Sequence, residues 1–186
     1  MDLQLNGKTV IVAAASRGLG KATALAFAQE GANVLIASRN EAELEKAVAE
    51  IKEKTGTDSV RYAVCDITDP VSIEKMVKAA VDWTGRVDVL VNNAGGPPAG
   101  VFDDFNDEDW QRAFELNLLS YVRLIREVLP HMRKIGEGRI VNIASSSIKQ
   151  ALDNLILSNT FRAGIVGLAK SLSQELAKDN ILINTV

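Results

Sequence analysis

A turn built from small residues follows the first apolar run of the chain, and an amphipathic stretch begins directly after it. Glycines in such a turn let backbone N–H groups approach a phosphate, and the first helical turn adds unpaired N–H donors and a partial positive charge. The spacing therefore predicts a dinucleotide pyrophosphate site, with a plain tight turn as the alternative. The expected contacts are Ala14, Ser16, Arg17, Gly18, Leu19 and Gly20.

The end of the second apolar run indicates which dinucleotide this site prefers. An acidic residue at that point binds the ribose hydroxyls of NAD(H), whereas this chain has Ser38 and Arg39 there. Arg39 and Arg17 together offer two guanidinium groups, which suit the charge-assisted, bidentate hydrogen bonds that a 2′-phosphate accepts. We therefore expect NADP(H) to be preferred over NAD(H), the alternative being that both arginines are merely solvated.

A third polar segment, Asn92-Asn93-Ala94-Gly95, follows the fourth apolar run. In open α/β sheets, residues at this position face the crevice outside the strand ends, where ligands bind. The small side chains of Ala94 and Gly95 let a ring or a ribose approach the backbone closely. We expect Asn93, Ala94 and Gly95 to contact the cofactor.

The elements that must position these segments alternate between short apolar runs and longer amphipathic stretches. Strands are predicted at Thr9–Ala14, Asn33–Ala37, Val60–Val64, Val87–Val91, Arg139–Ile143 and Ile181–Val186. Helices are predicted at Leu19–Glu30, Glu41–Lys54, Pro70–Thr84, Asp107–Arg133 and Leu155–Lys178. Continuous apolar strands between helices indicate an α/β fold, a doubly wound Rossmann-like parallel sheet with helices on both faces. We expect a single domain over residues 1–186, truncated in or after the sixth strand, so that the C-terminal part of the fold is absent.

Composition narrows the classes of function. Lys plus Arg number 21 against 24 Asp plus Glu, a net charge of −3, which offers no basic stripe for nucleic acid. One cysteine and one histidine leave no disulfide and no cysteine or histidine-pair metal site. The sequence shows neither a signal-peptide pattern nor an apolar run long enough to span a membrane. We expect a cytoplasmic protein without metal, nucleic-acid or membrane partners.

These motifs, taken in order along the whole chain, resemble the short-chain dehydrogenase/reductase family. The resemblance rests on Ala14-x-x-x-Gly18-x-Gly20, on Asn92–Gly95 and on Ser145 after the fifth strand. Within the family, the sequence around the motifs is most similar to that of 3-oxoacyl-[acyl-carrier-protein] reductases. The resemblance implies an oxidoreductase that reduces a small-molecule ketone or an acyl-thioester substrate.

The resemblance also assigns roles to single residues. It implies adenine contacts for Asp66 and the adjacent Ile67. Asp66 could instead cap the helix that begins near Pro70, but Asp69 is better placed for that role. It identifies Asn117 and Ser145 as members of the catalytic tetrad. Asn117 is a poor helix former among apolar neighbours, which indicates that its side chain satisfies a group outside its own helix.

The chain departs from the family pattern at the remaining catalytic positions. The family's Tyr-x-x-x-Lys register carries Ser158 and Arg162, and we include both among the catalytic residues. An aliphatic hydroxyl is a far weaker acid than a phenol, and a guanidinium can bind ribose hydroxyls but cannot relay protons. The substitute proton sources we consider are water, Ser146, Ser147 and Ser158, with Tyr121 as a weaker candidate and Lys149 as a possible nearby cation.

A further departure lies at Ala14, which stands where the family has its leading glycine. An alanine in a left-handed conformation costs about 1–2 kcal/mol, so we expect this turn to be slightly rebuilt. Two functions follow for the whole chain. One is an NADP(H)-dependent reductase with atypical proton delivery, and the other is a degenerate NADP(H)-binding module with a regulatory or assembly role.

An oligomer is expected as well. Apolar residues cover more than one side of Phe114–Leu129, so this helix needs a second surface to pack against besides the sheet. The later helix carries the small residues Ala163, Gly164 and Gly167. We expect a homodimer or homotetramer formed through the helices around 107–133 and 155–178.

Overall fold

The computed structural model describes residues 2–186, which form one six-stranded parallel sheet. The strands are β1 Thr9–Val12, β2 Asn33–Ser38, β3 Val60–Val64, β4 Val89–Asn92, β5 Gly138–Asn142 and β6 Ile181–Thr185. Their order across the sheet is β3-β2-β1-β4-β5-β6, and every neighbouring pair is parallel. The chain winds outward in both directions from the β1–β4 pair, so the predicted doubly wound fold is confirmed.

Helices connect the strands and cover both faces of the sheet. They are α1 Gly18–Gln29, α2 Glu41–Thr55, α3 Pro70–Thr84, α4 Asp107–Phe114, α5 Ser120–Ile135 and α6 Ile156–Glu175. A π-helical turn, Glu115–Leu119, joins α4 to α5, so the stretch predicted as one regular helix from Asp107 to Arg133 is interrupted. The last predicted helix ends three residues early, at Glu175, before a 3₁₀ turn over Ala177–Asp179.

The crossovers that lead from the carboxyl edge begin at well-defined caps. Asn40 accepts a hydrogen bond from the Glu43 N–H at 3.1 Å and starts α2. Asp69 accepts one from the Val71 N–H at 3.0 Å, and Pro70 occupies the first position of α3. Such caps satisfy N–H groups that the helix itself leaves unpaired. These two helices therefore start close to the ends of β2 and β3, which keeps the intervening turns short.

Two apolar cores lie on opposite faces of the sheet. Ile11 and Leu90 belong to one core, which includes residues of α3, α5 and α6, while Val10 and Val12 belong to the other, beneath α1 and α2. Successive strand residues point to opposite faces, so both faces of β1 are buried. This accounts for the unbroken apolar runs in the sequence and anchors the turns at the carboxyl edge on a buried scaffold.

Candidate functional site

A cavity with a volume of about 1090 Å³ opens at the carboxyl edge of β1, β2, β3 and β4. A crevice at this edge, where the winding reverses, is the usual ligand site of a doubly wound sheet. Its lining includes Ala14, Ser16, Arg17, Leu19, Ser38, Arg39, Asp66, Ile67, Asn93, Ala94 and Gly95. The structure thus brings together most of the predicted cofactor contacts, while Gly18 and Gly20 belong to the same turn but lie outside the lining.

In the turn between β1 and α1, Ala14 adopts a left-handed backbone conformation although it stands where the family has a glycine. Ala14 has φ of 49°, so the expectation of a rebuilt turn was wrong, and the predicted strand Thr9–Ala14 ends at Val12. The amide of Asn93 donates a hydrogen bond to the Ala14 carbonyl at 3.1 Å, and this ties the turn to the end of β4. Gly20 packs so closely beneath the turn that a Cβ there would lie 2.6 Å from the same carbonyl oxygen.

One end of the cavity carries Arg17 and Arg39. Both side chains are exposed, and neither forms an ion pair within residues 2–186. Ser38, beside Arg39, has a buried hydroxyl oxygen for which the described chain provides no hydrogen-bond partner. Two guanidinium groups and an unsatisfied hydroxyl at one end of a crevice form a donor set suited to an anionic oxygen ligand.

Asp66 lies at the end of β3, on the cavity wall. Burial favours its neutral form, but hydrogen bonds from the N–H and hydroxyl of Thr68 and the field of Arg39 outweigh that effect and lower its pKa. Those bonds measure 2.9 Å and 2.7 Å. Asp69 caps α3, which confirms it as the better placed of the two candidates, and Asp66 belongs to the cavity lining.

Asn117 and Ser145 lie next to the Ala94–Gly95 end of the cavity. Asn117 is fully buried in the π turn, donates to the Gly95 carbonyl at 2.8 Å and leaves its own Oδ1 without a partner in the described chain. Its side chain therefore satisfies a group beyond its own helix, as predicted. Ser145 follows β5 and caps the 3₁₀ turn Ser146–Ile148, with its Oγ accepting from the Ser147 N–H at 3.2 Å.

Ser158 and Arg162 lie one turn apart on α6 and are both buried. The guanidinium of Arg162 donates to the carbonyls of Ala144 at 3.1 Å, Ala94 at 3.4 Å and Ile143 at 3.5 Å. It therefore bridges the ends of β4 and β5 and lies beside Ser145. None of Ser145, Ser158, Arg162 and Asn117 is part of the cavity lining, but Asn117 and Arg162 donate hydrogen bonds to the carbonyls of the lining residues Gly95 and Ala94.

Tyr121 is not available as a replacement phenol. It is fully buried, and its hydroxyl donates to the Ile143 carbonyl at 2.7 Å. Burial raises its pKa to about 12, against a smaller opposing influence of the nearby Arg162. Ser146 and Lys149 are exposed, whereas Ser147 is buried with its hydroxyl unpartnered among residues 2–186.

Several cavity residues were missed by the sequence reasoning, and Glu43 is the one that contacts the glycine-rich turn. The hydroxyl of Ser16 donates to the Glu43 carboxylate at 3.2 Å, so this acid lies against the glycine-rich turn. Glu41 and Glu45 also line the cavity, and the Tyr62 hydroxyl donates to both. The pattern Asn40-x-x-Glu43 directly after β2 resembles a helix capping box, and its position at the carboxyl edge is the signal that points to the cavity.

Membrane-spanning helices and groups of metal-ligating side chains are two further features that bear on function. Among residues 2–186, no helix combines the length and the apolar character needed to cross a membrane. Within the same range, no three His, Cys, Asp or Glu side chains are grouped so that they could hold a metal ion.

Comparison with known proteins identifies the family of the chain. The family model described as short chain dehydrogenase matches residues 8–186. The chain therefore belongs to the short-chain dehydrogenase/reductase family of oxidoreductases. It is 36% identical over 186 residues to the 3-oxoacyl-[acyl-carrier-protein] reductase of Thermotoga maritima, with 99% of this chain and 74% of that protein covered.

Solved structures show the same fold. The L-sorbose reductase of Gluconobacter frateurii, complexed with NADPH and L-sorbose, superposes with a TM-score of 0.95 at 34% identity, covering all of this chain and 70% of that one. A short chain oxidoreductase of Pseudomonas aeruginosa, described as NADPH bound and as containing an atypical catalytic center, gives a TM-score of 0.92 at 25% identity. That match covers 96% of this chain and 69% of the Pseudomonas chain.

Proposed function

We propose that the chain binds NADP(H) in preference to NAD(H) and reduces a ketone or a 3-oxoacyl thioester with atypical proton delivery. The observation that carries the proposal is the placement of Arg17 and Arg39, free of ion pairs within residues 2–186, at one end of the 1090 Å³ cavity. The NADPH complex of the sorbose reductase and the name of the Thermotoga relative support the coenzyme and the substrate class.

The residues present fit this coenzyme. Ser38 is part of the cavity wall, and its buried hydroxyl has no hydrogen-bond partner in the part of the chain that the structure describes, so it offers one to a polar ligand group. The space next to Gly95 is open and gives a flat ring room to approach the backbone. In this proposal, Ala14–Gly20 hold the pyrophosphate and the two arginines hold the 2′-phosphate. Asp66 and Ile67 face the adenine, and Asn93–Gly95 with Arg162 hold the nicotinamide ribose. When bound, NADPH supplies the hydride.

Proton delivery has to differ from a phenol mechanism. Ser145 donates a hydrogen bond to the carbonyl oxygen of the substrate, and Arg162 supplies a fixed positive charge where negative charge develops on that oxygen. The proton then comes from water or from the hydroxyl of Ser158, because the phenol of Tyr121 is committed to the Ile143 carbonyl. Replacing a tuned general acid in this way costs on the order of 10²–10⁴ in rate.

A degenerate NADP(H)-binding module is the second candidate. It is favoured by Arg162, whose guanidinium is buried and donates to three backbone carbonyls at the ends of β4 and β5. A side chain held in this way stabilises the strand ends whether or not turnover occurs. The Pseudomonas oxidoreductase, described as NADPH bound with an atypical catalytic center, is consistent with coenzyme binding beside an altered centre.

One experiment separates the candidates. NADPH is titrated into the chain, and its oxidation is then followed by absorbance in the presence of a 3-oxoacyl thioester. Saturable binding with turnover that falls at least about 100-fold in Ser145→Ala supports the reductase. Binding without turnover supports the module, and a strong gain of turnover in the double variant Ser158→Tyr, Arg162→Lys then shows that only the proton donor is lost. Absence of NADPH binding contradicts both candidates.

Oligomer formation and location extend the proposal. An aromatic cluster packs α4 against α6: the ring of Phe161 lies 5.8 Å from that of Trp110 and 6.0 Å from that of Phe114. Phe102 lies beside this cluster and is 67% exposed. We propose a homodimer or homotetramer through residues 107–133 and 155–178, although Gly164 faces Leu118 of its own chain. Sedimentation velocity at micromolar concentration should show a dimer or tetramer, and a monomer alone contradicts this part.

A cytoplasmic setting is proposed on the single cysteine. Cys65 is a buried free thiol, and burial raises its pKa. An inert reduced thiol is usual in a reducing compartment. Cell fractionation should recover the protein with cytoplasmic markers, and recovery in a membrane or secreted fraction contradicts this part of the proposal.

A further inference from the structure

The cavity wall that would receive the 2′-phosphate contains more acid than base. Arg17 and Arg39 are its basic residues, whereas Glu41, Glu43, Glu45 and Asp66 are acidic. Like charges repel, so the carboxylates oppose the attraction that the two arginines exert on a phosphate. The hydrogen-bond partners of the four acids indicate which of them lies beside the phosphate turn.

Three of the four acids have their hydrogen-bond partners outside the β1–α1 turn, although Asp66 also lies in the field of Arg39. Asp66 is held by Thr68, and Glu41 and Glu45 accept hydrogen bonds from the Tyr62 hydroxyl on the β3 side at 3.3 Å and 3.2 Å. Glu43 alone reaches across to the β1–α1 turn, where its Oε2 accepts from the Ser16 hydroxyl at 3.2 Å. Ser16 immediately precedes Arg17, so the Glu43 carboxylate contacts the turn that carries Arg17.

We infer that Glu43 is a specificity-determining residue that limits the preference for NADP(H) over NAD(H). The inference rests on the proposed function, because it concerns the same coenzyme site. A 2′-phosphate held near Arg17 meets the carboxylate of Glu43 at close range and competes with it for the Ser16 hydroxyl. The free ribose hydroxyl of NAD(H) carries no charge at that position and can donate a hydrogen bond to the same carboxylate.

Glu43→Gln tests this in the intact chain. The helix cap uses the backbone N–H of Glu43, so the substitution leaves the start of α2 in place, and Glu43→Ala serves as a second variant. The dissociation constants of NADPH and NADH are measured by fluorescence titration for each protein. Removing one charge at this range should raise the ratio of Kd for NADH to Kd for NADPH by roughly five- to tenfold.

Two controls identify the cause. Glu53→Gln removes the same charge from an exposed position of α2 outside the cavity and should leave the ratio within about twofold, since an exposed and distant charge is screened by salt. The gain in Glu43→Gln should shrink as salt is raised, because a repulsion between charges is screened whereas a steric effect is not.

The outcomes are distinct. A raised ratio in both Glu43 variants, absent in Glu53→Gln and reduced by salt, supports the inference. An unchanged ratio in the Glu43 variants, or an equal rise in Glu53→Gln, overturns it while the binding of NADPH by the unaltered chain leaves the proposed function standing. Failure of the unaltered chain to bind either coenzyme overturns the proposed function and the inference with it.

Discussion

At the scale of single residues, Ala14 shows how a contact can hold an unfavourable backbone conformation. Its φ of 49° is one that residues other than glycine rarely adopt, at a cost of about 1–2 kcal/mol. The Asn93 amide and the closely packed Gly20 hold the turn in this shape. Relief of the strain therefore requires only a residue without a Cβ.

Ala14→Gly should stabilise the protein by about 0.5–1 kcal/mol, because the relief of strain exceeds the greater freedom of glycine in the unfolded chain. The measurement is urea unfolding. Ala15→Gly is the matched control: Ala15 is buried and has no positive φ, so its substitution should destabilise by about 1 kcal/mol. Equal effects of the two substitutions, in either direction, would show that the turn is unstrained.

Sequence reasoning at this scale could predict which polar residues share one cavity, while their contacts with a coenzyme stay a prediction. Arg17, Arg39 and Asp66 do line one cavity, because each follows the carboxyl end of a strand. It did not find Glu43, whose contact with Ser16 joins residues 27 positions apart and depends on how α2 is placed beside α1. Sequence reasoning also expected a rebuilt turn at Ala14. The hydrogen bond from Asn93 that holds the turn spans 79 positions, so no local sequence pattern reveals it.

At the scale of elements, Gly20 at the junction of β1 with α1 serves packing, whereas Gly95 in the loop after β4 faces the cavity. A Cβ on Gly20 would lie 2.6 Å from the Ala14 carbonyl oxygen and 2.8 Å from Ala15 Cα, so α1 cannot hold its place with a larger residue there. A Cβ on Gly95 would meet open space within the cavity. Two glycines of the same site therefore have different reasons to be glycine.

Gly20→Ala should destabilise the protein by about 1–3 kcal/mol through overpacking. Gly95→Ala should leave the unfolding midpoint nearly unchanged but weaken NADPH binding, because its methyl group occupies space that the coenzyme needs. Thermal unfolding and coenzyme titration of both variants provide the two readouts. Full NADPH affinity in Gly95→Ala would contradict the placement of the coenzyme against this loop.

The six strands were predicted to within two residues at each end, because strands buried on both faces are unbroken apolar runs. The π turn at Glu115–Leu119 was not predicted, since five residues are too few for apolar spacing to separate a π turn from an α turn. The polar Asn117 within it was the available signal, and the structure pairs its amide with Gly95.

At the scale of the whole molecule, the two edges of the sheet have different tasks. The cavity lies at the carboxyl edge, while an ion cluster of Lys8, Arg86, Asp88 and Glu137 gathers near the start of β1, β4 and β5. Burial favours the neutral form of Asp88, but hydrogen bonds from Arg86 and from the Thr9 N–H, with the charge of Lys8, outweigh it and lower its pKa. This edge therefore carries a charge cluster that stabilises the fold, and its residues are outside the lining of the cavity.

Asp88→Asn should destabilise the protein by about 2 kcal/mol at neutral pH and leave NADPH affinity unchanged. A carboxylate with a lowered pKa stabilises the fold above its unfolded pKa of about 3.9, and this stabilisation is lost as pH falls through the folded value. The deficit of the variant should therefore shrink as the pH falls below about 4. Urea unfolding across this range checks it, with the exposed Asp82→Asn as a control that changes stability by less than about 1 kcal/mol. A deficit that grows on acidification would contradict the assignment.

The central claim is that two guanidinium groups at the carboxyl edge hold the 2′-phosphate of NADP(H). Calorimetric titration of NADPH and NADH into the unaltered chain and into the double variant Arg17→Ala, Arg39→Ala tests it most directly. The account predicts saturable, one-site binding with NADPH the tighter ligand, and a variant that loses about 10- to 100-fold in NADPH affinity while its NADH affinity changes little. Equal binding of both coenzymes by the unaltered chain, or a variant that binds NADPH as well as its parent, would contradict it.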